Sequence, residues 1–321
     1  MLRCETTACL LCNGQRHEPL IELPAMEGEP PSGAWTIVRC GACGLVFLNP
    51  RPSETDIGAF YAEDYAPHQI AARTAQIANA MRRKSWPGWW NQVLATLFPP
   101  DVRRGPRWQG EGRLLDVGCG GGEFLWRMHA RGWQVAGLDT SPAAVARIRD
   151  ELRLPAWQGS LPHPELRAES FDVVTFWQSL EHVHQPLETL RRAREVLVPG
   201  GRLVVSVPNI EGVGFRWFGA NWLGLDPPRH LTHFAPSTLQ QMLEAAGFRV
   251  RRMGHLRRAG WLEESARTAL AQGDRRPVAR LLSRRAAARW AAWFSCRTGQ
   301  SDCLVAEAVR IDGDEKFAPV R

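Results

Sequence analysis

The sequence predicts an α/β protein, a parallel sheet covered by helices on both faces, preceded by a small cysteine-bearing module. Three observations carry this. Apolar strand-like runs alternate with helix-like segments from Arg113 to Val309, the pattern of strands joined by crossover helices. One of these runs passes directly into a glycine-rich turn at Gly118, Gly120, Gly121 and Gly122. Two CxxC pairs, Cys9/Cys12 and Cys40/Cys43, stand ahead of the alternation.

The elements follow in order. Arg113–Gly118 reads as a strand, Gly121–Arg131 as a helix, Gln134–Asp139 as a strand and Pro142–Glu151 as a helix. Leu154–Gln158 and Phe171–Trp177 are strands, Leu187–Leu197 a helix, and Arg202–Val207 a strand. Pro236–Ala246 is a helix that Gly247 stops, and Phe248–Met253 and Asp302–Val309 are the last two strands. A glycine just after a helix end is the expected stop.

The chain divides into residues 1–50, a cysteine-bearing module expected to bind zinc; 51–108, a helical connector closed by Phe98-Pro99-Pro100; and 109–321, the α/β domain. That domain carries insertions at 209–235 and 258–300. A chain of 321 residues, 44% hydrophobic and 23% charged, can bury a full core and is not a disordered polymer. No run approaches the ~20 apolar residues of a spanning helix, and the N-terminus lacks a signal pattern. A cytoplasmic protein with reduced cysteines is expected, where paired cysteines point to metal rather than disulfide.

The net charge of +7 invites a nucleic-acid reading. Of the 40 basic residues only Lys84 and Lys316 are lysines. Arginine used this exclusively reads as compositional bias rather than charge placed for phosphate, so nucleic acid is set aside as the expected partner. The excess is concentrated between Arg249 and Arg297.

The most informative segment is LLDVGCGGGEFL, Leu114 to Leu125. Glycines in a strand-to-helix turn let backbone approach a ligand, and the helix start presents unpaired N–H groups. Asp139 ends the next strand, where a carboxylate can accept from both hydroxyls of a ribose. Dinucleotides and S-adenosylmethionine both use such an arrangement. The GxGxG spacing and Asp116, two residues before Gly118, favour the second.

LLDVGCGGG with GLD resembles motif I and its successor in class I S-adenosylmethionine-dependent methyltransferases. FDVVTFWQSLEHV, Phe171 to Val183, resembles the fourth-strand motif, and LRRAREVLVPGGRLVVSVPN, Leu190 to Asn209, the fifth-strand block. The resemblance covers roughly residues 110–250. It implies a Rossmann-like, seven-stranded methyltransferase sheet and S-adenosylmethionine as cofactor. It further implies that Gly118, Gly120 and Gly122 cradle the methionine portion, with Asp116 near the cofactor's amino group. Asp139 would hold the ribose, Gly159 and Ser160 border the adenine beside Gln158, and Gln178 face the cofactor and the substrate entrance. Many relatives carry Asp where Ser160 stands, which weakens that contact.

Each CxxC offers two thiolates, and Cys9, Cys12, Cys40 and Cys43 complete one tetrahedral structural zinc. Four protein ligands leave no open position for catalysis. Cys4 reads as surface, Cys119 as packing, and Cys296 and Cys303 show no partner pattern. The segments Gly44–Pro52 and Tyr61–His68, with Tyr61 and Tyr65 the sole tyrosines, give the chain a layout similar to bacterial small-molecule and sugar C-methyltransferases. There the matching segment helps cover the active site.

Ligands of open α/β sheets bind beyond the strands' carboxyl ends. His182 and His184 follow the fourth strand, and DPPRHLTHF, Asp226 to Phe234, follows the fifth-strand insertion. His230 and His233 are three apart and would share one face of a helix. The HxxHF arrangement is similar to the HEHxxY region of sugar C-methyltransferases, which makes His230, His233 and His182 the candidate bases. Arg229 and Phe234 depart from that pattern. Gly212–Leu225 reads as an aromatic lid or substrate wall. Residues 275–293 read as one amphipathic helix with an arginine face, a candidate for peripheral contact with an anionic membrane.

The expected function is methyl transfer to a small-molecule acceptor, a sugar, lipid-linked intermediate or secondary metabolite. The alternatives are an RNA methyltransferase gripping RNA with the zinc module and arginines, a non-catalytic cofactor-binding protein, and a NAD-dependent oxidoreductase. The first of these lacks an (N/D)PPY string at Trp177–Leu180. The sequence does not reveal the acceptor atom or the oligomeric state.

Overall fold

A computed structural model of the chain describes residues 2–24, 34–61 and 106–311. Most of the 51–108 connector, including Tyr65, lies outside the described residues, as does Lys316.

The larger sheet is built on the strands the alternation predicts. These are β6 (Arg113–Val117), β7 (Gln134–Asp139), β8 (Ala156–Gln158), β9 (Phe171–Trp177), β10 (Leu197–Pro208), β12 (Phe248–Leu256) and β13 (Cys303–Arg310). Their spatial order is β12-β13-β10-β9-β6-β7-β8, the seven-stranded Rossmann-like methyltransferase sheet expected from the resemblance. Strands β6 and β9 are buried along almost their whole length, as parallel strands covered on both faces must be. The order reverses on either side of β6, whose neighbours are β7 and β9. A crevice opens at such a point beyond the strand ends.

Local chemistry sets the helix boundaries. Helix α1 (Glu123–His129) starts after Gly122, which takes φ +78°. Helix α2 (Pro142–Arg147) has Pro142 at its first position, and the Ser141 hydroxyl accepts from the Ala144 amide at 3.2 Å. It continues through a π-turn over Ile148–Leu152. Helix α3 (Pro186–Val196) and helix α5 (Pro236–Ala245) also begin on proline, and Gly247 at φ +85° follows the end of α5.

The sheet is mixed rather than wholly parallel. Strand β13 pairs antiparallel with both β10 and β12. The cause is the connection: the chain leaves β12 at Leu256 and returns at Cys303, directly opposite it in the ladder. The residues between form three helices, α6 (Ala259–Ala271), α7 (Pro277–Leu282) and α8 (Arg285–Arg297). The single amphipathic helix expected over 275–293 is therefore two, broken at Ser283–Arg284, where Arg284 is extended. Leu282 on one side of the break and Ala288 and Ala292 on the other enter the same core.

The second sheet is antiparallel, in the order β11-β4-β3-β2, with β2 His17–Pro24, β3 Ala34–Cys40, β4 Val46–Leu48 and β11 Thr232–His233. Its edge strand β11 comes from the insertion after β10, so two distant parts of the chain build one sheet. Leu45 and Phe47 join the core of the large sheet, while Trp35 and Ile37 pack with Trp222 and Ala266. A short pair, β1 (Cys4–Glu5) with β5 (Arg51–Pro52), closes the N-terminal part. Arg51 is buried there, donating to the Glu5 carboxylate at 2.9 Å and to the His184 carbonyl at 2.8 Å.

The aromatic segment expected as a lid is interior. Helix α4 (Val213–Phe218) and the turn after it bury Phe218, Trp222 and Leu225 in the core shared with α6–α8. Among the described residues no helix is long and apolar enough to cross a membrane.

Candidate active site and cysteine cluster

The glycine loop sits at the carboxyl end of β6, where the strand order reverses. Gly118, Gly120 and Gly122 have φ of +75°, +50° and +78°, a region that side-chain-bearing residues enter at a cost. Gly118 is exposed, and a Cβ on it would stand 2.4 Å from that of Ser179. Ser179 in turn donates to the Val117 carbonyl at 2.6 Å. The loop is thus shaped by close approach to the segment after β9, leaving a cradle of bare backbone.

Asp139, at the tip of β7, locks that cradle. One carboxylate oxygen accepts from the Gly120 amide at 2.7 Å and the other from the Ser141 amide at 2.9 Å. Each oxygen keeps a lone pair for a further donor. Asp116 lies deeper, accepting from the Thr175 hydroxyl at 2.6 Å. Burial pushes its carboxyl up to about 7. Asp116 is thus part of the strand interior beneath the loop.

On the far side of β7, Gly159 has φ +143° and donates to the Asp139 carbonyl at 2.9 Å. Ser160 is exposed, and the His163 ring reaches back to the Gln158 carbonyl at 3.2 Å. Gln178 takes φ +54° at the end of β9. Its amide nitrogen donates to the Ser206 hydroxyl at 3.0 Å and approaches the Cys303 sulfur at 3.4 Å. Its carbonyl oxygen is buried without a partner among the described residues. The side chain is held towards β10 and β13, with one acceptor to spare.

His182, His230 and His233 come together, although not on a helix. His182 closes a 3-10 turn, Leu180–His182, His230 precedes β11, and His233 lies within it. Ring centroids are 4.6 Å apart for His182 and His230, and 6.4 Å for His230 and His233. Nδ1 of His182 lies 3.0 Å from both the Arg229 carbonyl and the Tyr61 hydroxyl. Nδ1 of His230 lies 2.9 Å from the Gly224 carbonyl. Both nitrogens of His233 are buried without a hydrogen bond among the described residues. Burial pushes His182 and His233 down to about 3, with the neighbouring His230 adding to both, and lowers His230 itself. Burial thus favours the neutral form of all three rings.

Glu181 belongs to the same cluster. It is 0% exposed, and neither carboxylate oxygen is hydrogen bonded among the described residues. Burial pushes it up to about 8, against the pull of its own backbone amide and of Arg258. Asp226 forms an ion pair with Arg229 and stands 3.8 Å from Nε2 of His230. Sequence reasoning singles out neither Glu181 nor Asp226. The adjacency of Glu181 to His182 is the available signal.

The four cysteines of the two CxxC pairs form one cluster, their sulfurs all within 4.8 Å of one another. Cys9 and Cys43 are 3.4 Å apart, and Cys12 and Cys40 3.6 Å. Thiolates bound at ~2.3 Å to one tetrahedral ion stand roughly 3.8 Å apart, so the set is close to the size a single zinc requires. Amides of Leu11 and Cys12 point at the Cys9 sulfur, and those of Ala42 and Cys43 at the Cys40 sulfur. Amide donors aimed at sulfur favour the thiolate form that binds metal. The cluster could hold one ion with no open position.

A family model described as "Methyltransferase domain" matches residues 74–252. The chain belongs to this methyltransferase family. The matched span contains the glycine loop, Asp139 and the His182–His233 cluster. A ubiquinone biosynthesis O-methyltransferase of Aeromonas salmonicida is 34% identical over 154 residues, covering 44% of this chain and 64% of that protein. One from Cereibacter sphaeroides is 34% identical over 168 residues, covering 49% and 67%. The chain thus spans just under two thirds of the length of the first of these curated relatives. Among solved structures, an S-adenosylmethionine-dependent methyltransferase of Mesorhizobium loti is 20% identical, covering 68% of this chain and 96% of that one, with a TM-score of 0.43.

Proposed function

We propose that the chain transfers a methyl group from S-adenosylmethionine to a small-molecule acceptor. The observation that carries this is the cradle at the end of β6: three glycines at positive φ, pinned by the Asp139 carboxylate where the strand order reverses. A Cβ at Gly118 would run into Ser179 and displace the loop. When bound, the cofactor supplies an electrophilic sulfonium methyl. The loop amides receive its methionine portion, Asp139 accepts from its ribose, and Gly159 and Ser160 border its base. The curated relatives are O-methyltransferases, which favours oxygen as the acceptor atom.

On the acceptor side, the residues that position and deprotonate are sought in the Tyr61, His182, His230 and His233 cluster. A neutral imidazole with a free lone pair can take a proton. The burial that lowers these rings also weakens them as bases, so alignment of the acceptor is the larger part of their work. The four-cysteine cluster holds a structural zinc that orders the sheet carrying Phe47 and, through β11, His233.

Calorimetry with S-adenosylhomocysteine on folded protein tests the donor site. No binding refutes the reading. Kinetics of His230→Ala and His233→Ala test the acceptor side, where unchanged kcat in both at saturating acceptor removes these histidines from the chemistry. Incubation with labelled donor and fractionated extract identifies the acceptor.

The α7–α8 surface supports a second element of this reading, contact with an anionic lipid surface. Trp290, Phe294 and Leu281 are 72%, 64% and 55% exposed. Leu281 and Trp290 line an apolar groove with Trp217, Val278, Ala287 and Ala291. Arg280, Arg284, Arg285 and Arg289 are exposed around it. Aromatic side chains ringed by cations suit a headgroup boundary, and an enzyme so placed would meet an apolar acceptor there.

A further inference from the structure

We propose that Glu181, His182 and His230 form a second metal site, one that binds a divalent cation of the zinc class with an open coordination position for an acceptor oxygen. One ligand atom from each of the three residues lies within 4.8 Å of the other two, close enough for small side-chain shifts to bring all three onto a single ion. The role at the acceptor rests on the methyl-transfer reading. The binding of the ion does not.

The tautomers support it. A carbonyl oxygen can only accept, so the 3.0 Å contact from His182 to the Arg229 carbonyl places the proton on Nδ1. The 2.9 Å contact from His230 to the Gly224 carbonyl does the same. In both rings Nε2 is left as the lone-pair nitrogen. Metal-ligating histidines are commonly held in this way, one nitrogen donating to a backbone carbonyl and the other turned to the ion. The rings themselves are fixed, 4.6 Å apart centroid to centroid.

The carboxylate points the same way. Glu181 is wholly buried, both oxygens lack hydrogen bonds among the described residues, and its backbone is clamped by the Leu231 amide, which donates to its carbonyl at 2.8 Å. A buried carboxyl group without partners is unusual and calls for an ion or another group that satisfies it. The ring of His233, whose two nitrogens lack hydrogen bonds among the described residues, lies 6.4 Å from that of His230.

Two histidines and one glutamate are a donor set that zinc accepts, with three protein ligands and one position left open. This is unlike the four-cysteine cluster, which is closed. The site is also near the cradle: Ser179, whose Cβ faces Gly118, is two residues from Glu181. An oxygen-bearing acceptor bound to the ion would lie beside the donor loop. A sugar hydroxyl or a phenol fits this description, whereas an acceptor without oxygen does not.

The test uses the full chain, stripped by chelator and reloaded with zinc alone. Wild type is expected to hold about two equivalents, and X-ray absorption at the zinc edge to show sulfur at ~2.3 Å together with nitrogen or oxygen at ~2.0 Å. Glu181→Gln and His230→Gln are each expected to fall to about one equivalent with a sulfur-only shell. One equivalent and sulfur alone in wild type overturns the proposal even where the variants fail to fold. So does a second equivalent retained by both folded variants. S-adenosylhomocysteine binding, measured separately, distinguishes the two failures: donor uptake without the second ion removes this site and leaves methyl transfer standing, and the reverse result removes methyl transfer alone.

Discussion

Substituting Gly118 by alanine is the sharpest test of the cradle. The residue has φ +75°, and alanine in that region costs about 1–2 kcal/mol. The new Cβ would also stand 2.4 Å from the Ser179 Cβ, an overlap that the backbone or the Ser179 turn must absorb. Overpacking of this kind adds about 1–3 kcal/mol, for a total of about 2–5 kcal/mol. Gly200 provides the control. It has φ +69° in the turn within β10, and nothing lies within 4 Å of where its Cβ would be. Gly200→Ala should therefore lose only the conformational part, about 1–2 kcal/mol. Urea unfolding gives both values, and calorimetry with S-adenosylhomocysteine reads the site. Gly118→Ala is expected to unfold earlier than Gly200→Ala and to lose donor binding, while Gly200→Ala keeps it. Equal stability of the two variants, with donor binding intact in both, would refute the argument that close packing against Ser179 shapes the loop.

Other outcomes follow from the same structure. Asp139→Ala leaves the Gly120 and Ser141 amides without their acceptor and should cost about 2–3 kcal/mol in thermal unfolding, with weaker S-adenosylhomocysteine binding. Asp172 accepts from the Arg113 amide and guanidinium, which hold its carboxyl below the ordinary range despite burial. Its contribution is present above about pH 4 and is lost as pH falls through the lowered value. The stability gap between wild type and Asp172→Asn should narrow below that pH, and a gap constant from pH 7 to pH 3 would contradict it. Stripping metal with a strong chelator should lower the melting temperature, and zinc should restore it. The double variant Trp290→Ala/Phe294→Ala should pellet less than wild type with anionic liposomes, and equal pelleting would remove α8 from the membrane contact.

What the sequence could show was what local chemistry decides. The LLDVGCGGG turn is legible because only glycine fits its backbone, and Pro142 and Pro236 mark helix starts by their fixed φ. The clustering of Cys9, Cys12, Cys40 and Cys43 is legible because two CxxC units offer one set of four sulfurs. The two-residue strand at Thr232–His233 is not, since its partner Val46–Phe47 lies far back in the chain and nothing in its own pattern names that partner. The break at Ser283–Arg284 hides inside a run of arginine and alanine that reads as continuous helix. Only the shared core, which takes Leu282 and Ala288 from either side, reveals why the chain turns. Glu181 reads as a surface acid until Leu231 and β11 fold over it. His230 and His233 are paired in sequence by a helical spacing that the fold does not use, yet the turn and strand still bring the His230 ring to His182 and the His233 ring to His230.

The seam formed by β4 and β11 has a bearing on how the protein can be divided. His233 pairs with Val46, and the amide of Leu48 donates to the Leu231 carbonyl one step further along. A fragment starting at Pro106 would carry the whole donor cradle but none of that support. Its raw edge at Thr232 would be left open to pairing with other chains, and Phe234 and its neighbours would lose the cover of Phe47. Excision of the cysteine-bearing segment should yield a molecule that grips nucleoside yet aggregates and has lost the arrangement of its histidines.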